Sequence, residues 1–260
     1  LLYIAQELRT NGINNFNIKL TNDIEIPSGK WTSPLDVTNA STIDGQGHSI
    51  IFNSGSGLFD RFHGGSIENL VLEGTINTKS DKNHNYGHCG VGVLAGSAYQ
   101  TTIKNVVSTV DVVDTGNGSV GGLIGYFGGN NGDGRTPATF IKNCAVYADI
   151  SSKDGTAGGL VGESWENTQT WKIENCIYMG TVSSETGVAG ALIGNEKTGR
   201  TSYLTNIWYC ESNNCAIFGK EGNKGSITQS EVKSKTAEEI ATEAAATLLN
   251  TNSDGTDNDV

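Results

Sequence analysis

Basic residues are scarce in this chain, 17 Lys and Arg against 28 Asp and Glu, for a net charge of −11. That shortage excludes nucleic acid as a partner, since nucleic-acid binding relies on cations that displace counterions. It equally disfavours anionic membrane surfaces. Long apolar runs are absent, so no transmembrane helix, and no membrane insertion within this segment, is expected. The cysteines Cys89, Cys144, Cys176, Cys210 and Cys215 form no Cys-x-x-Cys pair, which removes the usual zinc framework. No His-Glu-x-x-His occurs, so zinc-peptidase chemistry is not encoded here. No regular Thr-x-Thr ladder exists to make an ice-binding face. Neither a cofactor nor a metal is expected. Proline is nearly missing, 3 residues, whereas glycine reaches 35 of 260, close to twice its usual share of about 7%. That combination suits many tight corners between short strands.

What the chain does contain is a repeat. Val120-Gly121-Gly122-Leu123-Ile124-Gly125 returns as Ala157-Gly158-Gly159-Leu160-Val161-Gly162 and Ala189-Gly190-Ala191-Leu192-Ile193-Gly194. Weaker copies stand at Val91–Gly96 and Cys215–Gly219, with a fragment at Gly57-Leu58-Phe59. A second marker travels with the first: Ile67-Glu68-Asn69, Ile103-Lys104-Asn105, Ile141-Lys142-Asn143, Ile173-Glu174-Asn175 and Leu204-Thr205-Asn206, spaced 36, 38, 32 and 31 residues apart. Periods of this size indicate stacked repeats.

Aligned on the marker, one column is Asn69, Asn105, Asn143, Asn175 and Asn206. The next is Leu70, Val106, Cys144, Cys176 and Ile207, and a third is Ile76, Val112, Ile150 and Val182. Stacked as parallel strands about 4.8 Å apart, each column becomes a ladder. The apolar ladders fill the interior. The asparagines occupy a corner, where amides bond along the stack and tolerate unusual backbone angles. Leu123, Leu160 and Leu192 are expected to stack in the core, their flanking glycines supplying φ above zero and the small residues letting neighbouring repeats approach closely. The predicted fold is all-β, a right-handed parallel β-helix, with short N-terminal and C-terminal helices as caps.

Residues 1–234 are expected to form the β-helix with its N-terminal cap, the Leu1–Thr10 helix covering the open end. Residues 235–250 form a C-terminal helix, with Thr236 as N-cap and Glu239 at the third position, and 251–260 an acidic linker or tail. The abrupt start and end read as part of a larger multi-module chain.

Chemistry is sparse. Asp60-Arg61-Phe62-His63 puts an acid, a cation and a base together. Asp111 and Asp149 share a column, where a glycosidase pair or a calcium site would need them. Asp254, Asp257 and Asp259 miss the calcium-loop spacing. Cys210 and Cys215 read either as a bridge or as buried thiols. Insertions interrupt the repeats at 79–90, 126–139, 165–171 and 195–202, and in stacked repeats such insertions gather on a binding face. Their aromatics and acid, Tyr126, Asp133, Trp165 and Trp171, are the candidate contacts for a glycan or a host surface protein.

The Gly-Gly-Leu-Val/Ile-Gly repeats resemble the GLUG-motif repeats of bacterial surface proteins, found also in the non-catalytic N-terminal regions of IgA-specific metallopeptidases. Ile43-Asp44-Gly45-Gln46-Gly47-His48-Ser49-Ile50, then Gly57-Leu58-Phe59 and Ile67-Glu68-Asn69-Leu70, is similar to the opening of such domains. The resemblance spans about residues 15–250. It implies an extracellular, cell-surface, non-enzymatic module, adhesive or spacer, and carries over no catalytic residue. The alternative is a carbohydrate-active β-helix enzyme, a polysaccharide lyase or glycoside hydrolase, which a groove holding at least two carboxylates would favour.

Overall fold

The computed structural model describes residues 15–31, 35–37, 41–81, 90–127, 139–164, 171–197, 202–210, 215–221 and 227–242. Among these the chain is almost entirely β. Nineteen strands join in one sheet and four in a second, and the pairings are parallel throughout. The marker residues lie in one row. Ile67 sits opposite Ile103, then Ile141, Ile173, Leu204 and Gln229. The row extends backward through Ile43 to Ile18, beyond the repeats recognisable by eye. The apolar columns hold the same register: Leu70 faces Val106, and Ile76, Val112, Ile150 and Val182 form one line. Strand residues alternate between faces, so these rows point inward and are buried from Ile43 to Leu204, while Ile18 and Gln229 at the two ends are more open.

The five asparagines make the corner. Asn69, Asn105, Asn143, Asn175 and Asn206 all have left-handed backbones, φ between 51° and 57°, a region that Asn enters more readily than most residues. Their amides form a single chain. Asn206 Nδ2 donates to Asn175 Oδ1 (2.9 Å), Asn175 to Asn143 (3.1 Å), Asn143 to Asn105 (3.2 Å) and Asn105 to Asn69 (3.0 Å). Asn69 Nδ2 then donates to the Asp44 carboxylate at 3.0 Å. That carboxylate also receives the Gln46 backbone and side-chain N–H groups and an ion pair from Lys19 at 3.5 Å. At the other end Glu231 holds the corner position, φ 55°, and pairs with Lys233.

Of the two jobs expected of the repeat glycines, positive φ and close approach, these positions perform the second. None of Gly121, Gly158, Gly162 or Gly194 is at positive φ; the left-handed corners belong to asparagine. What these glycines permit is contact between two backbones. The strands before the motif, Gly90–Gly92, Ser119–Gly121, Thr156–Gly158 and Ala189–Gly190, build the small sheet, and those after it join the large one. A Cβ on Gly121 would lie 2.7 Å from the Gly162 amide, and one on Gly162 only 2.6 Å from the Val120 amide. The neighbouring glycine Gly159 makes room for an aromatic ring, since its Cβ would meet Tyr178 at 2.6 Å. The two sequence signals therefore pack on each other. Leu123, Leu160 and Leu192 are fully buried and linked through their backbones, Leu123 N–H to Leu160 O and Leu160 N–H to Leu192 O, both 3.0 Å.

A smaller apolar cluster, Ala145, Ile177, Cys210 and Ile240, occupies the outer face of the same strands. Its helix is one turn, Ala237–Ile240, opened by the Thr236–Glu239 capping box. The helix expected over 235–250 is corrected where it is described: Lys235 ends the strand Ile227–Lys235, Thr236 is the N-cap, and the turn stops at Ile240 with Ala241 as its C-cap, while 243–250 lie outside the described residues. The turn leans on the sides of strands Trp171–Met179 and Ser202–Cys210, not over the end of the stack. The expected 1–10 helix and the 251–260 tail, with Asp254, Asp257 and Asp259, lie outside the described residues, as does Cys89. Cys210 and Cys215 are both free thiols. Cys210 belongs to the outer cluster and Cys215 packs against the inner core, on the opposite side of the sheet, so no bridge joins them.

Two outcomes follow from the corner. Asn143→Gly keeps the backbone angle but deletes two amide bonds and strips the fully buried Asn175 of its acceptor. The expected loss is about 1–3 kcal/mol in chemical denaturation. Asn143→Ala adds the left-handed strain, about 1–2 kcal/mol more; equal losses for the two variants would mean that the angle carries no cost. Asp44 is held below its ordinary value of 3.8, first by the Asn69 bond and then by the Gln46 and Lys19 contacts, against the opposing effect of burial. A depressed folded value stabilises above the unfolded value and is lost as pH falls through the folded one. Wild type should therefore lose stability progressively below about pH 4, and Asp44→Asn should lose less over the same range. Parallel acid-melting curves for the two proteins would refute this.

Candidate binding edge

Phe62, Ala98, Phe127 and Ser164 share one register row, continued by Glu196 and Glu221. In the first two of these repeats the strand runs on through left-handed Gly64, Gly65 and Gln100. In the next three the described chain stops after Phe127, Ser164 and Lys197. It resumes at Thr139, Trp171 and Ser202, which are again in register with one another. Three inserted segments thus leave and return at stacked positions along one edge. Asp133 and Trp165 lie within them and outside the described residues.

Two of the predicted contacts are corrected. Trp171 is 1% exposed and stacks on Phe127, ring centroids 6.1 Å apart and 27° between planes. It stands two residues before the marker Ile173, the parity that faces inward. Its Nε1 has no hydrogen-bond partner among the described residues. Tyr126 is 9% exposed, in a row with Ser97, Glu163, Asn195 and Lys220. Both rings belong to the floor beneath the insertions and offer no stacking surface to a ligand.

Sequence reasoning missed the polar groups of that floor. The Glu163 carboxylate takes the Lys197 ammonium at 2.7 Å and the Ser119 hydroxyl at 3.2 Å, with the Asn195 amide at 3.4 Å. Glu196, 1% exposed, accepts from the Ser164 hydroxyl at 3.2 Å, and the Lys197 backbone N–H donates to that hydroxyl in turn. The signal was present: Tyr126, Glu163 and Asn195 each follow the last glycine of a repeat. The arrangement clamps the start of one insertion, at Lys197, onto the neighbouring repeat through an ion pair that is only partly open to water.

The other candidates resolve into structure. Asp111 Oδ1 accepts the Asp149 backbone N–H at 2.9 Å. Asp149 Oδ1 accepts the Thr181 N–H at 2.7 Å and its hydroxyl at 2.8 Å. These carboxylates tie each repeat to the next. The Asp60–His63 stretch is divided: Phe62 is core, Arg61 pairs with Asp36, and His63 Nε2 lies 3.1 Å from the Ser97 hydroxyl. Among the described residues no group of three His, Cys, Asp or Glu is placed to hold a metal ion, and no helix is long and apolar enough to cross a membrane.

Trp171→Ala should cost about 3–5 kcal/mol, as for other buried aromatics, measured by denaturant unfolding. A loss below about 0.5 kcal/mol, the range of surface changes, would return this ring to the binding surface.

No protein-family profile matches the chain, and no curated protein does. Solved structures do. A crystal structure described as a "putative immunoglobulin A1 protease" from Bacteroides ovatus aligns with a TM-score of 0.60 at 19% identity, over 91% of this chain and 82% of that one. A structure described as "IgA1 Protease" aligns at 0.46 and 17% identity, over 90% of this chain and 21% of that one. The first of these likenesses shows a shared fold.

Proposed function

We propose that the chain is a right-handed parallel β-helix serving as a non-enzymatic module of a bacterial cell surface, an adhesive or spacer of the GLUG-repeat kind. It binds a host or environmental glycan or protein through the insertions on its edge. The observation that carries this reading is the superposition of three successive insertions on one register row. Strand residues are committed to the interior and to their neighbours, so variation is tolerated where insertions leave the stack; that at 79–90 leaves at another corner, between the positions of Asp114 and Ser119. The shared fold with a protein named for immunoglobulin A1 proteolysis supports an extracellular setting. The enzyme alternative requires carboxylates available to a substrate, and those of Asp111 and Asp149 are engaged with backbone N–H groups.

The test replaces the segments 129–137, 165–169 and 198–201 by short Gly-Ser links. Intact and replaced proteins are applied to a glycan array and to immobilised immunoglobulin A1. Binding by the intact protein, its loss on replacement and an unchanged melting temperature are expected. Asp133→Ala and Trp165→Ala divide the loss between two insertions. Full binding by the replaced protein would end this reading.

A further inference from the structure

On the far side of the Asn69 corner from the insertions, the first repeats enclose an open groove of about 640 Å³, within the range of small-molecule sites. Its floor is the end of strand Phe59–Thr78, where Thr75 and Asn77 point outward together. Asn53 and Glu25 continue the lining, the Asn53 amide donating to the Glu25 carboxylate at 3.0 Å. The wall is the turn closed by the Lys30 N–H on the Pro27 carbonyl, 3.1 Å, which brings Ser28 and Gly29 to the rim.

We infer that this groove is a second binding site, for a neutral saccharide. It goes beyond the edge insertions and shares no residue with them. Three features select the ligand. The lining is a carboxylate, two amides and two hydroxyls, so it both donates and accepts, as sugar hydroxyls require. Among the described residues no Lys, Arg or aromatic residue lines it. An anionic sugar would meet only Glu25 and a chain of net charge −11, and a flat apolar ligand would find no wall to cover. A single carboxylate falls short of the several oxygen ligands that a calcium ion takes. Most telling is the contrast along the face. Asp111, Asp149 and Thr181, further down the column that contains Thr75, are bonded between repeats. Among the described residues Thr75 and Asn77 make no hydrogen bond through their side chains, and both are exposed, so their capacity faces the groove.

Amide NMR shifts of the labelled protein would be followed on titration with lactose, N,N′-diacetylchitobiose and maltotriose, with sialyllactose as the anionic comparison. Millimolar binding by at least one neutral sugar is expected, with shifts at Glu25, Gly29, Asn53, Thr75 and Asn77. Two variants lie in the groove. Thr75→Ala with Asn77→Ala removes two ligand hydrogen bonds of about 1 kcal/mol each, a weakening of about tenfold or more. Gly29→Asn places a side chain at the rim, where a Cβ meets nothing within 4 Å and φ is +68°, an angle that Asn accepts. It should weaken binding while leaving the melting temperature unchanged. No shift with any neutral sugar, shifts confined to the insertion roots, or equal binding by folded variants would each overturn the groove. The last two outcomes would leave the edge reading standing, and loss of edge binding alone would leave the groove standing.

Discussion

The fold rests on a backbone angle that only a few residues accept. At each asparagine corner the chain must turn with φ near +55°, and it must do so at the same height in every repeat so that the next strand enters in register. A left-handed residue alone would set the angle without tying one corner to the next. Glycine would adopt it, but with no side chain to reach its neighbour. Asparagine does both, because its short amide tolerates the angle and bonds along the stack. The apolar rows then fall into line, since a strand that enters in register keeps its alternate residues facing inward.

Much of this was legible in the sequence because the residues are periodic. Ile67, Ile103, Ile141 and Ile173 specify a register on their own, and the asparagine two places later announces the corner. The role of the glycines was harder to read, since glycine serves both for positive φ and for close approach, and composition cannot separate the two. Only the placement of Gly121 against Gly162, and of Gly159 under the Tyr178 ring, shows which was required. The candidate contacts failed differently. Trp171 and Tyr126 border insertions, and position beside a loop was given more weight than strand parity. Counting two residues back from Ile173 already turns Trp171 inward. The ion pair between Glu163 and Lys197 was invisible because it joins residues 34 apart whose partnership exists only once the repeats are stacked.

Function and architecture are consequently separable in this chain. Carboxylates that read as chemistry, Asp111 and Asp149, hold adjacent repeats together, and the acid of Asp44 ends a row of amides. What remains available for recognition is what the stack does not require: insertions at one edge, and polar side chains at the beginning of one face.

The amide row also has a sense. Asp44, when ionised, can only accept, so Asn69 must donate toward it, and each later asparagine must present its oxygen to the next. One carboxylate thereby fixes the orientation of every member. At the opposite end the Asn206 oxygen is left facing the position of Glu231, likewise an acceptor and paired with Lys233, so among the described residues the bonds run no further. Such a row is anchored at its Asp44 end and indifferent to its length. A whole repeat carrying its own asparagine could be added or removed between the two acids, each step altering the reach of the molecule by one strand spacing, about 4.8 Å. Length in this protein is therefore a quantised property, adjustable without redesigning either end.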